Sequence, residues 1–193
     1  MSLPINYIIA YLLLLVSGVV VFRGPVRRDY MMRGRLTIPV SILQALLFFT
    51  YGGFPYLYLS KDWPRVYVSS TLHVIGVVFV IAGLASLSYG MLKLGFLPSV
   101  GGRKDELECT GIYRISRNPQ ALACSFYVIG FSILWPSWYA LFWAVLYVVF
   151  IHVMIITEEE HLLHLYGASF EDYCDEVPRY ICIRSKSKGT AAQ

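Results

Sequence analysis

The sequence predicts an all-α, polytopic membrane protein of about five transmembrane helices, with its N-terminus outside and its C-terminus in the cytoplasm. Three observations predict it. First, 57% of the 193 residues are hydrophobic and only 15% are charged, with a mean hydropathy of +0.60; a soluble domain carries roughly 25% charged residues and about 45–50% apolar ones. A soluble domain of this length cannot hide so much apolar surface, and the same figures exclude disorder, a coiled coil and a nucleic-acid-binding module. Second, the apolar residues fall in runs near the about 20 residues a membrane helix needs. Third, the basic residues concentrate in alternate loops, as they do when one side of a membrane protein is cytoplasmic.

The first run, Pro4 to Phe22, is aliphatic apart from Asn6 and ends at Arg23. It lacks the leading positive charge of a cleaved signal, and arginines follow it. Leu36 to Ser60 is the second run, polar only at scattered Thr, Ser and Gln. The third and longest, Val66 to about Gly95, is interrupted by His73 and, near its end, by Lys93. It carries Ala82, Ser86 and Gly90 at spacing four, a small-residue stripe that lets another helix approach. Gln120–Trp135 and Tyr139–Thr157 make the fourth and fifth, a tight hairpin turned at Pro136-Ser137. His73, deep in the third run, and His152, about a turn above a row of carboxylates, are each read as satisfied by a neighbouring hydroxyl. Tyr51, Tyr56, Tyr58 and Tyr67 read as an interfacial belt.

Arg23, Arg27, Arg28, Arg33 and Arg35 lie in the first loop, and Lys93, Arg103, Lys104, Arg114 and Arg117 in the third. Arg179, Arg184, Lys186 and Lys188 lie in the tail. Only Lys61 and Arg65 fall in the second loop, so 14 of the 16 basic residues share one side. The net charge of +4 is this topological bias, helped by anionic inner-leaflet lipid. Cys109, Cys124, Cys174 and Cys182 form no CxxC pair and no metal-ligand spacing with the histidines, so neither disulfides nor a metal site is expected. The expected organisation is a three-helix membrane region (1–95), a core of linker, hairpin and tail (96–183) and a flexible end (184–193).

Two polar concentrations stand out. The connection Pro98–Pro119 is far longer than joining two helices requires, and such loops are commonly functional. Gly101-Gly102 gives it a flexible turn. At its end Asn118 suits an N-cap and Pro119 the first helical position, which alone reads as a well-made helix start. Second, Glu158, Glu159 and Glu160 stand where the fifth run leaves the membrane. Carboxylates toward a helix C-terminus oppose the helix dipole and call for partners, with Arg114, Arg117 and Arg179 on the same side. Leu162, Leu163, Leu165 and Tyr166 continue the helix to a C-cap at Gly167. Ser169–Asp172 then signals a short helix that stops at Val177-Pro178. The plain reading is a solvated acidic collar; the other is a polar cup that holds a charged cofactor above an apolar tunnel.

Thr110-Gly111-Ile112-Tyr113-Arg114, followed by Arg117-Asn118-Pro119, resembles the G-[IP]-Y-R…R-H-P-x-Y element of the isoprenylcysteine carboxyl methyltransferase family and its phospholipid methyltransferase relatives. Glu158-Glu159-x-x-Leu162-x-x-x-Tyr166-Gly167, then Tyr173 and Val177-Pro178-Arg179, resembles that family's E-E-x-x-L-x-x-x-F-G…Y…R tail. The resemblance covers about residues 85–183. It implies a multi-pass enzyme of the plasma membrane in a prokaryote, or of the endoplasmic reticulum in a eukaryote. Such an enzyme transfers a methyl group from S-adenosylmethionine, leaving S-adenosylhomocysteine, with a cytoplasmic site and a lipophilic or prenylated acceptor entering from the bilayer. Carried over, Gly111, Tyr113, Arg117, Asn118, Pro119, Glu158 and Tyr166 would bind the cofactor, and Glu159, Glu158 and Arg179 would be catalytic. Glu158 or Glu159 would grip the cofactor's amino group and Arg117 or Arg179 its carboxylate. Asn118 stands where the family has histidine, which excludes a histidine base there. Ala121 replaces a tyrosine, whose aromatic wall Tyr127 or Phe126 could supply. The acceptor put first is the carboxylate of an isoprenylated cysteine or a similar lipid-like molecule. The alternatives are the amine of a phosphatidylethanolamine-type lipid, for which Glu159 is the candidate base, and a non-catalytic scaffold of the same fold.

Overall fold

The computed structural model describes residues 5–55, 68–94 and 107–180. Lys61, Arg65, Tyr56, Tyr58, Tyr67, Gly101-Gly102, Arg103, Lys104, Cys182 and the tail from Arg184 lie outside them. In chain order the helices are α1 (Ile5–Val21), a π-helical turn (Phe22–Val26), α2 (Arg27–Arg33), α3 (Ile38–Gly53), α4 (Ser70–Leu94), a 3-10 turn (Gly111–Arg114), α5 (Pro119–Leu134), α6 (Trp138–Tyr166) and α7 (Ala168–Glu176). No strand occurs among the described residues.

The first helix does not stop at Phe22. It runs on as one apolar rod, Ile5–Arg33, because Pro25, which lacks an N–H and crowds the preceding turn, is absorbed by the π-helical turn instead of breaking the helix. The rod ends at Gly34, whose φ of 65° is the left-handed C-cap. Buried Asp29 fixes the following corner by accepting from Arg33 at 2.7 Å and from the Thr37 backbone N–H at 2.8 Å.

Among the described residues, three helices are long and apolar enough to cross a membrane: Ile5–Arg33, Ser70–Gly90 and Trp138–Tyr166. The apolar α3 and α5 have 16 residues each. At 1.5 Å per residue that is about 24 Å, short of the roughly 30 Å hydrocarbon core.

Side-chain pairings give the helix directions. Along α6, α1 runs parallel: Tyr7 meets Tyr139 with ring centroids 4.8 Å apart, Gly18 faces Phe150, and Arg23 reaches Glu160 at 2.8 Å. The third helix runs antiparallel to these two, pairing Phe48 with Phe22 at 5.9 Å and Tyr51 with Trp143 at 5.2 Å. So does α5, whose Phe131 meets Trp143 at 5.3 Å while its Ala121 carbonyl accepts from the Tyr147 hydroxyl at 2.5 Å. Directions therefore alternate along α1, α3, α4, α5 and α6, and one apolar core, centred on Phe22, Leu146, Phe150 and Ile155, joins α1, α3, α5 and α6.

The close approach of α4 to α5 corrects the small-residue stripe. Ala82 and Ser86 are exposed; the contact is made by Gly76, Gly83 and Gly90. An added Cβ at Gly83 would lie 2.6 Å from the Tyr127 backbone nitrogen and one at Gly90 3.1 Å from Gln120. A seven-residue step returns to the same side of a helix after two turns, so it keeps these glycines on the antiparallel neighbour. His73 is also corrected. It lies in the first turn of α4, exposed, with no side-chain partner among the described residues. His152 has the expected hydroxyl partner, Tyr180, at 2.9 Å.

Candidate active site

The chain entering α5 and the chain leaving α7 are stitched together below the bundle. Gly111 opens the 3-10 turn with φ 61°, a conformation costly for side chains with a Cβ. The Tyr113 carbonyl accepts from the Tyr173 hydroxyl at 2.7 Å. Ser116, fully buried, donates to the Arg179 carbonyl at 3.1 Å and accepts from the Asn118 backbone N–H at 3.1 Å. The Arg117 backbone N–H donates to the Pro178 carbonyl at 3.0 Å. Asn118 does occupy the N-cap position of α5, with Pro119 next, but its side chain does not cap the helix. Instead its amide donates to the Arg179 carbonyl at 3.2 Å and to Glu159 at 3.4 Å.

Glu159 is the hub. Only 8% exposed, it receives two nitrogens of Arg179 on one oxygen, at 2.9 and 2.7 Å, while its other oxygen faces Arg117 at 3.6 Å. The hydrogen bond to Glu159 raises Arg179 further above the ordinary arginine value. Arg117 also donates to the Cys174 thiol, and its buried Nε has no partner among the described residues. Glu160 turns to a different helix and binds Arg23 at 2.8 Å and Arg27 at 2.6 Å. Of the arginines expected to answer the carboxylates, Arg117 and Arg179 do so; Arg114 is exposed and joins none of these contacts.

Glu158 differs from both. It is half-buried, with no hydrogen bond or ion pair among the described residues. Its charge reaches Tyr30 of α2 and Tyr113. Burial first, then the carboxylates of Glu158 and Glu108, push the Tyr113 hydroxyl up to about 12, so it stays a neutral phenol. Tyr30 stacks on buried His161 with centroids 4.3 Å apart and planes 4° from parallel.

The structure thus brings Arg117, Asn118, Glu159 and Arg179 into mutual contact and sets Tyr113 near Glu158. Tyr166 packs against a small apolar cluster of Phe170, Tyr173 and Val177. Pro119 lines a separate groove of about 370 Å³ between α4 and α5. At Ala121, where an aromatic wall was expected from Tyr127 or Phe126, the phenol that arrives is Tyr147. Ser116, Arg23, Arg27, Tyr30, His161 and Cys174 were not foreseen as part of this region. Arginines flanking a proline inside an apolar run are a usable signal for Arg23 and Arg27; the others carry none in sequence. Among the described residues, no group of His, Cys, Asp and Glu is arranged to hold a metal ion.

A family model described as phospholipid methyltransferase matches residues 64–169, more than half of the chain. The chain belongs to the phospholipid methyltransferase family. That family groups with the isoprenylcysteine carboxyl methyltransferase-like proteins, and its members are methyltransferases. The match begins ahead of α4 and ends within the first turn of α7, so it takes in Tyr113, Arg117, Asn118, Glu158 and Glu159 but neither α1–α3 nor Arg179. No curated protein and no solved structure matches the chain. Family membership and the apolar helices together make this an integral membrane protein of the methyltransferase type.

Proposed function

We propose that the protein transfers a methyl group from S-adenosylmethionine to a lipid-like acceptor, with the reacting centre beside Glu158 at the cytoplasmic end of the bundle. The observation that carries this reading is the division of labour between adjacent carboxylates. Glu159 is consumed by Arg117, Arg179 and Asn118, whereas Glu158, half-buried beside Tyr113 and Tyr30, has no partner among the described residues. An unpaired carboxylate removed from bulk water calls for a cation. The cofactor fits that demand through its ammonium and sulfonium.

When bound, the cofactor supplies an electrophilic methyl group. The chain's own part is to hold the reacting atoms in line and keep water out. The network from Ser116 to Arg179 fixes the wall that does so, and Glu159 positions that wall. Arg179, 39% exposed on its side chain, can reach a carboxylate without losing Glu159. Glu158 also bears on the acceptor. An isoprenylcysteine carboxylate would bring a second anion beside it, whereas an amine would be attracted and could yield it the proton that must leave. The unpartnered Glu158 therefore favours an amine headgroup over the carboxylate that the resemblance puts first. The alternating helix directions and the one-sided basic residues support five crossings, with the N-terminus outside and this site in the cytoplasm.

Calorimetric titration of the purified protein with S-adenosylmethionine tests the first step, and absence of binding at millimolar cofactor overturns it. Vesicles containing phosphatidylethanolamine or a prenylated cysteine, incubated with labelled cofactor, then decide the acceptor. Label confined to the prenylated cysteine would reject the amine.

A further inference from the structure

Beside the reacting centre, α6 buries a titratable group that the methyl-transfer reading leaves unused. His161 is 6% exposed, and its Nδ1 has no partner among the described residues. A ring nitrogen withdrawn from water without a hydrogen bond is costly and calls for a reason. Tyr30 of α2, itself buried, stacks on this ring with centroids 4.3 Å apart and planes 4° from parallel. The imidazole is thus held in place with one nitrogen left open.

His161 is the middle member of a row. Glu158, His161 and His164 follow at three-residue steps, and residues three apart are neighbours on a helix surface, with Cβ atoms about 5–6 Å apart. Glu158 is half-buried, His161 buried and His164 exposed, so the row leads from the reacting centre to water. The charge of Glu158 reaches Tyr30, the ring on which His161 stacks, and the charge of His164 reaches His161. The other charged and titratable groups nearby are already committed or do not carry a proton. On α2, Arg27 is bound to Glu160, Asp29 to Arg33 and Thr37, and Arg28 is exposed; arginine does not deprotonate in proteins. Tyr113 stays a neutral phenol.

An amine acceptor gives up a proton at each turnover. Glu158, having taken it, is neutral and unable to take the next. We propose that His161 carries that proton from Glu158 to His164 and the water beyond. In each cycle the carboxyl O–H of Glu158 breaks as an N–H forms on the open nitrogen of neutral His161. The imidazolium then releases one proton to His164 or water. One proton enters and one leaves, no oxidation or reduction occurs, and Glu158 is an anion again. Carboxylate and histidine chains serve as proton routes in other membrane proteins. His161 touches neither cofactor nor acceptor and acts through Glu158. The inference rests on the methyl-transfer reading with an amine acceptor.

Turnover of the full-length protein on phosphatidylethanolamine vesicles, with labelled S-adenosylmethionine, tests it. H161F keeps a ring for Tyr30 to stack on, so it should melt like wild type yet lose about tenfold or more in kcat, with the KM for the cofactor within about twofold. H161A should lose as much, and added imidazole should restore part of its turnover. A wild-type kcat in H161F, or a loss in H161A that imidazole does not relieve, makes His161 a packing residue and overturns the proposal. A second arm needs no turnover: nuclear magnetic resonance of the ¹⁵N-labelled histidine rings without cofactor. There E158Q should displace the His161 titration midpoint by about one unit or more, the scale of a charge 5–6 Å away, and leave His73 unmoved. An unmoved His161 midpoint overturns the relay, whereas absence of cofactor binding overturns the methyl-transfer reading, so the two failures are distinguishable.

Discussion

Glu159→Gln is the substitution whose effect can be worked out furthest. The carboxylate is 8% exposed and accepts from Arg179 at 2.9 and 2.7 Å, from Asn118 at 3.4 Å and, as an ion pair, from Arg117 at 3.6 Å. Glutamine keeps the shape and one acceptor oxygen but removes the charge. The Arg179 side chain is 39% exposed, so water screens its loss to about 1 kcal/mol or less. The Arg117 side chain is 9% exposed and already carries an unpartnered Nε. Stranding a buried charge costs about 3–5 kcal/mol. The expected destabilisation is therefore about 3–6 kcal/mol, most of it at Arg117, or a fall in melting temperature of about 6–24 °C for a chain of this size. Circular dichroism melts in detergent measure it. Adding Arg117→Met to Glu159→Met should recover much of the loss, because no uncompensated buried charge then remains. Glu158→Gln should melt within about 2 °C of wild type, because it breaks no contact, yet lose turnover. If Glu159→Gln melts like wild type, or if Glu158→Gln melts far below it, the roles assigned to the two carboxylates are refuted.

Gly18→Ala should melt several degrees low. Its Cβ would stand 2.4 Å from the Phe150 ring, and overpacking costs about 1–3 kcal/mol; Gly24→Ala, with nothing within 4 Å, should not, and equal melts would deny the α1–α6 contact. At Gly83 the neighbour is backbone, 2.6 Å away, and cannot swing aside, so Gly83→Val should separate α4 from α5 and lower the melting temperature more than Gly52→Val, where space is open. Tyr113 titrates near 12 in the folded chain against 10.0 ordinarily. Its contribution to stability is therefore whole below pH 10 and lost as pH rises toward 12; Tyr113→Phe should remove that part of the alkaline loss, and superimposable alkaline melts would contradict it. Arg23→Ala should cost about 1 kcal/mol or less, because the pair with Glu160 is 38% and 32% exposed, and the difference should shrink in 1 M salt, whereas a salt-independent loss would point to packing instead.

The five apolar runs were legible because bilayer helices announce themselves by composition over a window of residues, a signal that needs no knowledge of neighbours. Their ends were less so. Arg23 and Pro25 look like a stop, yet α1 continues through them, because a π-helical turn absorbs the proline and the arginine finds Glu160 on another helix. The glycine contact was misassigned for a similar reason: Ala82, Ser86 and Gly90 are spaced for a helix interface, but which stripe faces α5 depends on rotation about the helix axis. Asn118 was legible as an N-cap from its position; that its amide serves Arg179 and Glu159 instead follows from the tail folding back beside it. Ser116 and the stacking of Tyr30 on His161 join segments far apart in the chain, and no local pattern encodes such pairs.

The run Glu158-Glu159-Glu160 shows how far one residue type can diverge in role. Successive residues on α6 rotate about 100°, so identical side chains point into three different surroundings. Glu160 meets Arg23 of the π-helical turn and Arg27 of α2 and ties the N-terminal rod to α6. Glu159 meets Arg117 and Arg179 and ties the start of α5 to the tail. Each arginine pair outweighs the single carboxylate it binds, so both ties leave positive charge in excess beside them. Glu158 receives no cation from the protein among the described residues. Its two neighbours are compensated while it is not. The position that the fold leaves electrostatically incomplete is the one a cationic ligand would complete, and the ties at Glu159 and Glu160 hold the helix end still while it does so.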